Sequence, residues 1–459
     1  MNTFVLYELP SLSNDKLSSN SDILSQIKNN GFQDTYSRFL SQPQISNGFN
    51  IFIHKSKDKM SFVDDPKYKN KNFYQVTNPY EHTITNSDKG KLDIAAYSKM
   101  YFKLDETSLA NNQTRSVSSS KLNIVSRAFY KLWEILLLFD LVPNKTGPII
   151  SAHLAEAPGS FVQALIFFRE KYYKSSDYAK DEHYVISIAE EGYGIPTFKK
   201  DFRSEYSRVK IYEQDGGDLT NTKSIDKFTK FSKKADLITA DGGFIWIDEN
   251  YQEQEAYKLI LGEIITAFKV QEKGGSFVLK LFEIYTDISI KLISILSVAY
   301  DKVFITKPLT SRPSNSERYV VCKGFKGVDS AVIKAMEDLL ENINTNESNK
   351  MFLADILPNY KINKEMKYTT NVSSIMLSNT QHESINKTIT YINSGNYYGD
   401  QYHQYLEEQQ KANDFWCSTF YPLDSNDMKS VQKNLSEIFL KSTEKSALEI
   451  KNYVANIIE

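Results

Sequence analysis

The chain has 459 residues, with Lys+Arg 55 balancing Asp+Glu 57 at a formal net charge of −2, so no overall basic charge announces a polyanionic partner, although a local basic face would serve as well. Hydrophobic residues at 41% and charged residues at 24%, with Gly 18 and Pro 12, exclude wholesale disorder and collagen-like repeats. Two cysteines, Cys322 and Cys417, cannot build a disulfide framework or a thiolate metal site, and the six histidines show no paired ligand spacing, so no metal is expected.

The N-terminal zone, 1–117, is polar and irregular and reads as an accessory region. It opens without a basic flank or long apolar run, which argues against a signal peptide. A basic, aromatic-interleaved run follows: Lys67, Lys69 and Lys71 among Tyr68, Phe73, Tyr74 and Tyr80. Such a run either contacts RNA or is a solvated loop with core-facing rings.

The zone 118–327 alternates short apolar runs with longer amphipathic ones. Ser118–Ser120 is placed to cap a helix over Leu122–Leu141, whose apolar face carries Leu122, Val125, Phe129, Trp133 and Leu136. Strands are predicted at Ile149–Leu154, Tyr184–Ile188, Val209–Tyr212, Leu237–Ala240, Phe277–Leu281, Val303–Thr306 and Tyr319–Cys322. Helical stretches such as Glu255–Val270 and Asp287–Tyr300 separate most of them, so a mainly parallel sheet with helices on both faces follows. A Pro- and Ser-rich loop joins the last two strands and predicts an antiparallel final strand. The most apolar stretch, Ile135–Val142, contains Asp140 and is far shorter than the ~20 residues that span a bilayer; no membrane partner is expected. In 328–459 helical patterns dominate, broken near Asn342–Asn349 and around Gly395–Gly399. The last helix, Asp427–Ile458, gathers Val431, Leu435, Ile438 and Phe439 on one face.

Such a sheet binds ligands beyond the carboxyl ends of its strands. There lie Glu156-Ala157-Pro158-Gly159-Ser160-Phe161 after the first strand, Asp215-Gly216-Gly217-Asp218 after the third and Asp241-Gly242-Gly243 after the fourth. A carboxylate followed by a tight turn lets a ligand approach the backbone at a helix N-terminus. Asp215 or Asp218 alone is more simply explained as turn chemistry. Lys280 sits inside an apolar strand and needs solvent or a carboxylate, since an unpaired buried ammonium is costly. Lys131 shares a helix face with Arg127 and Glu134, and its plainer reading is a solvated ion-pair stripe. The first turn lacks the Gly-x-Gly-x-x-Gly pattern of dinucleotide sites.

Ser126-Arg127-Ala128-Phe129-Tyr130-Lys131-Leu132, Glu156-Ala157-Pro158-Gly159, Thr239-Ala240-Asp241-Gly242-Gly243, Lys280 and Ser311-Arg312-Pro313-Ser314-Asn315-Ser316-Glu317 together resemble the FtsJ-like ribose 2′-O-methyltransferases. The resemblance covers about Lys121 to Lys323 and looks closest to the cap-specific branch of large cytoplasmic DNA viruses. It implies a Rossmann-like, seven-stranded α/β sheet, with the N-terminal extension and mainly helical C-terminal region added to it. It also implies S-adenosylmethionine as cofactor and a catalytic tetrad of Lys131, Asp241, Lys280 and Glu317. Cofactor contacts fall on Glu156, Ala157, Pro158, Gly159, Ser160, Phe161, Asp218 and Asp241, with Glu190 or Glu191 holding the ribose. Ser160 stands where the family often has a second glycine. In this scheme Lys280 serves the reacting hydroxyl as a neutral base or as a fixed ammonium, and Lys131 lowers its pKa. The implied partner is RNA, at the capped 5′ end of mRNA, with other capping or transcription subunits. The implied location is the cytoplasm, a viral factory or a virion. Two alternatives are an rRNA or tRNA 2′-O-methyltransferase and a non-catalytic RNA-binding or virion protein that retains the fold.

Overall fold

The computed structural model describes residues 4–12, 22–40, 47–59, 71, 73–81, 124–142, 147–188, 196–198, 202–243, 246–421 and 425–458. Five parallel strands form the centre of the sheet and one edge: β3 (Ile150–Leu154), β4 (Glu182–Ile186), β6 (Ala235–Ala240) and the second half of β7 (Gln271–Leu281) are largely buried, as parallel strands require, and β5 (Val209–Tyr212) is the partly exposed edge. All their mutual pairings are parallel. β8 (Tyr300–Lys307) and β9 (Arg318–Phe325) add antiparallel, with β9 inserted between β8 and β7. The antiparallel last strand read from the Pro/Ser-rich loop is therefore present.

The sheet has eight strands, not seven. β1 (Val5–Glu8) from the N-terminal zone pairs antiparallel with the outer edge of β8, giving the order β1-β8-β9-β7-β6-β3-β4-β5. It covers an edge that would otherwise present unpaired backbone. Tyr7 Oη donates to Glu449 at 2.7 Å, so the last helix of the chain braces it. A second sheet pairs β2 (Asp34–Ser37) with β10 (Phe352–Ile356).

Helix boundaries differ from the periodicity reading where side chains capture the backbone. The helix expected over Leu122–Leu141 is α4 (Ala128–Leu138), after α1 (Ile23–Asn30), α2 (Asn47–Asp58) and α3 (Phe73–Thr77). Val125 N–H donates to Gln163 Oε1 at 3.0 Å, and the Ser126 and Ser160 hydroxyls bond at 2.6 Å, holding 124–127 out of the helix. Asp140, at φ 49°, closes the other end; Ser118–Ser120 lie outside the described residues. α5 (Ser160–Tyr172) and α6 (Thr222–Phe231) follow. α7 (Gln252–Val270) and α8 (Asp287–Ala299) are almost wholly buried rather than amphipathic, because β10 and the C-terminal helices cover α8. The break expected near Asn342–Asn349 is only its end: α9 runs Ser330–Ser348. Three long helices, α10 (Lys364–Asn393), α11 (Asp400–Phe420) and α12 (Ser425–Ile458), complete the chain. The α10–α11 break falls at the expected glycines, and Leu435 of α12 is buried among Val431, Ile438 and Phe439. Among the described residues no helix is long and apolar enough to cross a membrane.

Candidate active site

A cavity of about 440 Å³ opens at the carboxyl ends of β3, β4, β6 and β7, where a doubly wound sheet places its ligand. Glu156, Ala157, Pro158, Ser160 and Phe161 form one wall, Asp218 and Thr220 another, and Asp241 and Lys280 the end. Ser187 and Ile188, expected within a strand, leave β4 after Ile186 and line the cavity instead.

The Glu156 carboxylate turns back on the helix it precedes. Its Oε1 accepts the Phe161 and Val162 N–H groups at 2.7 and 2.9 Å, so the strand end itself caps α5. Burial holds this carboxyl well above the usual carboxylate range. Gly159 is not among the lining residues. Its φ is 107°, and a Cβ there would lie 2.5 Å from the Phe202 ring, so its work is the turn and the packing beneath it. Asp218 Oδ1 is held by the Thr220 N–H and hydroxyl, both at 2.8 Å. A Cβ on Gly217 would meet the Ser187 carbonyl at 2.0 Å, so only glycine lets these two cavity walls approach. Glu190 and Glu191 lie outside the described residues.

Strand register builds the reacting end. Ala240 pairs with Leu279 across β6–β7, which brings Asp241 beside Lys280, and Lys280 pairs with Tyr319 across β7–β9. Lys280 Nζ lies 3.2 Å from Asp241 Oδ1 and donates to the Asp241 carbonyl at 2.8 Å. Tyr319 Oη donates to the same Oδ1 at 3.0 Å. From the facing helix, Lys131 Nζ donates to Glu317 Oε2 at 2.7 Å, and the Ser311 hydroxyl donates to Oε1 at 2.7 Å. Lys131, Asp241, Lys280 and Glu317 are thus brought together as two ion pairs around one point.

The solvated-stripe reading of α4 does not hold. Arg127 bonds Glu81 and the Thr310 carbonyl, while Glu134, 3% exposed, accepts Leu309 N–H, Thr310 N–H and Trp416 Nε1 at 2.7, 2.9 and 3.0 Å. The whole face docks on the 308–317 loop. Lys307, buried below that loop, donates to Asn315 Oδ1 and the Glu317 carbonyl at 2.7 and 2.6 Å.

The charges sort consistently. Burial pushes the Lys280 ammonium toward release, but Asp241, Glu317 and Glu263 outweigh it, and its pKa is raised. The downward tuning expected from Lys131 is not what these surroundings do: Lys280 is held as a cation. Burial alone would raise Glu317, yet Lys131, Lys280 and Lys307 hold it well below the usual carboxylate range. Behind the site, burial pushes Glu263 up to about 8.

Tyr319, Ser187, Thr220 and Lys307 were not singled out from the sequence. Only Tyr319 carried a usable signal, as the cross-strand neighbour of Lys280. The expected stacking rings of the N-terminal zone are mostly core: Phe73 and Tyr80 are 3% and 5% exposed, Tyr74 packs beside Phe73, and Lys71 lies over the Tyr397 ring. Lys67, Tyr68 and Lys69 lie outside the described residues. Among the described residues no group of His, Cys, Asp and Glu could hold a metal ion.

A mainly parallel sheet whose strand ends carry acidic side chains and a buried lysine, without a dinucleotide turn, is the arrangement the resemblance to S-adenosylmethionine-dependent methyltransferases leads one to expect. The residues suit that cofactor: Asp241 offers a carboxylate to its cationic end, and Ile188, Leu219 and Asp218 offer apolar walls and an acceptor to an adenine. Residues 124–325 match the family model described as FtsJ-like methyltransferase. Cap-specific mRNA (nucleoside-2′-O-)-methyltransferase 2 of Mus musculus is 27% identical over 355 residues, covering 72% of this chain and 44% of that protein. Cap-specific mRNA (nucleoside-2′-O-)-methyltransferase 1A of Caenorhabditis briggsae is 31% identical over 226 residues, 45% of this chain and 24% of that one. Cap-specific mRNA (nucleoside-2′-O-)-methyltransferase 1 of Mus musculus is 42% identical over 121 residues, 25% of this chain and 14% of that one. The chain thus spans less than half the length of these curated relatives.

Proposed function

We propose that this protein transfers a methyl group from S-adenosylmethionine to a ribose 2′-hydroxyl of RNA, at the nucleotide next to the mRNA 5′ cap. The observation that carries the reading is the Lys280 ammonium at the cavity end, bonded to Asp241 and faced by the Lys131–Glu317 pair. The names of the relatives support the cap as the substrate feature.

The cofactor would supply an activated sulfonium methyl. The chain must align the hydroxyl oxygen with it and offset the charge that grows as the O–H proton leaves. Lys280 Nζ keeps its proton and donates toward the ribose oxygen, stabilising the negative charge that develops there, while the oxygen–methyl bond forms, the sulfur–methyl bond breaks and the hydroxyl proton passes to solvent water. Asp241 fixes that ammonium from the cofactor side, with Tyr319 fixing Asp241. Glu317 bonds Lys131, and the charge of that pair, outside the cavity lining, would act on the RNA beside the reacting ribose. Glu156 holds the α5 N-terminus rigid, so the cavity wall does not move during transfer.

Labelled S-adenosylmethionine with short capped and uncapped RNAs tests this. Label should enter capped RNA preferentially, and Lys280→Ala should lower turnover on the order of 100-fold or more while cofactor binding persists. No transfer to either RNA by the wild type would contradict the reading, as would a Lys280→Ala enzyme that turns over normally.

A further inference from the structure

Glu81 lies outside the methyltransferase segment, and none of the chemistry above uses it. It is 1% exposed and serves two guanidiniums. Arg127 bonds its Oε2, while Arg312 reaches Oε1 through Nη2 at 2.8 Å and Oε2 through Nε at 3.2 Å. Each arginine stands close in sequence to a member of the tetrad. Arg127 precedes Lys131 by about one helical turn, and Arg312 precedes Glu317 in the same loop. Arg127 also donates to the Thr310 carbonyl of that loop at 2.9 Å. Glu81 is itself fixed: Asn78 Nδ2 donates to Oε2 at 2.6 Å, and the Asn78 carbonyl accepts from Gln409 of α11 at 3.1 Å.

We propose that Glu81 is a positioning residue for the Lys131–Glu317 pair, one buried carboxylate clamping together the helix and the loop that carry the two partners. The physical argument is one of competition. Two guanidiniums converging on one point repel each other unless a carboxylate lies between them, and truncating one partner of a buried charge cluster leaves uncompensated charge. Arg127 is near enough to Glu317 for the two charges to interact. Without Glu81, Arg127 gains a reason to turn to Glu317, where it displaces Lys131. A shift of about 1 Å in such a pair is enough to cost turnover heavily. An N-terminal segment, held by a C-terminal helix, thereby sets the geometry of a site whose chemistry lies wholly within 124–325.

The proposal rests on the reading of Lys131 and Glu317 as participants in methyl transfer, so its test includes that reading as a separate arm. Using the full chain, S-adenosylmethionine and capped RNA, Glu81→Gln should lower kcat roughly 10-fold or more. The KM for RNA and the calorimetric Kd for the cofactor should stay within about threefold. The distinguishing readout is a double-mutant cycle. Lys131→Ala should cost far less on top of Glu81→Gln than in the wild type, because the pair it removes is already displaced; a merely structural defect would leave that cost unchanged. Wild-type kcat in Glu81→Gln, or an equal Lys131→Ala penalty in both backgrounds, would overturn the clamp. Absence of methyl transfer by the wild type would instead overturn the functional reading. Should Glu81→Gln fail to fold, Glu81→Asp, which keeps the charge but shortens its reach to both guanidiniums, reads the same coupling, and full additivity with Lys131→Ala there would overturn the proposal.

Discussion

Lys280 is charged because of what stands around it. A lysine in an apolar strand ordinarily pays for burial with a lower pKa. Here Asp241, Glu317 and Glu263 reverse that, so the folded-state pKa lies above the ordinary value. The sign matters for mechanism. An amine acting as a general base would need to be neutral, and below its pKa that fraction rises about tenfold per pH unit. An ammonium that stabilises the developing alkoxide is already fully populated across the same range. Single-turnover rates between pH 7 and 9 should therefore rise far less than tenfold per unit. A log-linear rise of unit slope would return Lys280 to the role of neutral base. The residue was legible in the sequence as a lysine that an apolar strand does not need. Its charge state was not, because that depends on how far Asp241 and Glu317 outweigh burial, a balance set by packing that no local motif encodes.

At the scale of elements, β3, β4 and β6 carry a buried polar seam. The Ser151 hydroxyl bonds His153 Nε2 at 2.8 Å and His183 Nδ1 at 2.7 Å, and His153 Nδ1 bonds Thr239 at 2.8 Å. Burial, then the neighbouring His183, drives His153 well below the ordinary imidazole value; burial, then Arg208 and Arg169, drives His183 to about 3. Both are neutral in the fold and protonate freely once unfolded. Their contribution to stability is complete above about pH 6.5 and is lost as pH falls from there toward the folded values, at about 1.4 kcal/mol per unit for each ring. Replacing His183 with Gln should flatten the acid limb of a Tm-versus-pH curve between pH 6.5 and 4. An unchanged slope would show that the seam does not titrate as described. Strand existence was readable from apolar runs because burial on both faces leaves that signature. The seam was not, since it depends on which strands become neighbours. The short strands β1, β2 and β10 were missed for a related reason: each is four or five residues long, and only its pairing makes it a strand.

In the whole molecule, the accessory zones are part of the construction of the site. β1 extends the sheet beyond β8, Trp416 of α11 bonds Glu134 behind the 308–317 loop, and Gln381 of α10 donates to the Ser314 carbonyl at 3.1 Å. The sequence reading separated three zones by texture. It could not reveal that distant zones converge on one loop, because such contacts join residues from 67 to several hundred positions apart. The central claim, that this site methylates the ribose next to the cap, is tested most directly by removing the acceptor atom. Capped RNA carrying a single 2′-deoxyribose at the cap-adjacent nucleotide should lose methyl acceptance, while the same substitution several nucleotides downstream should leave it intact. Transfer that persists without the cap-adjacent 2′-hydroxyl would contradict the account.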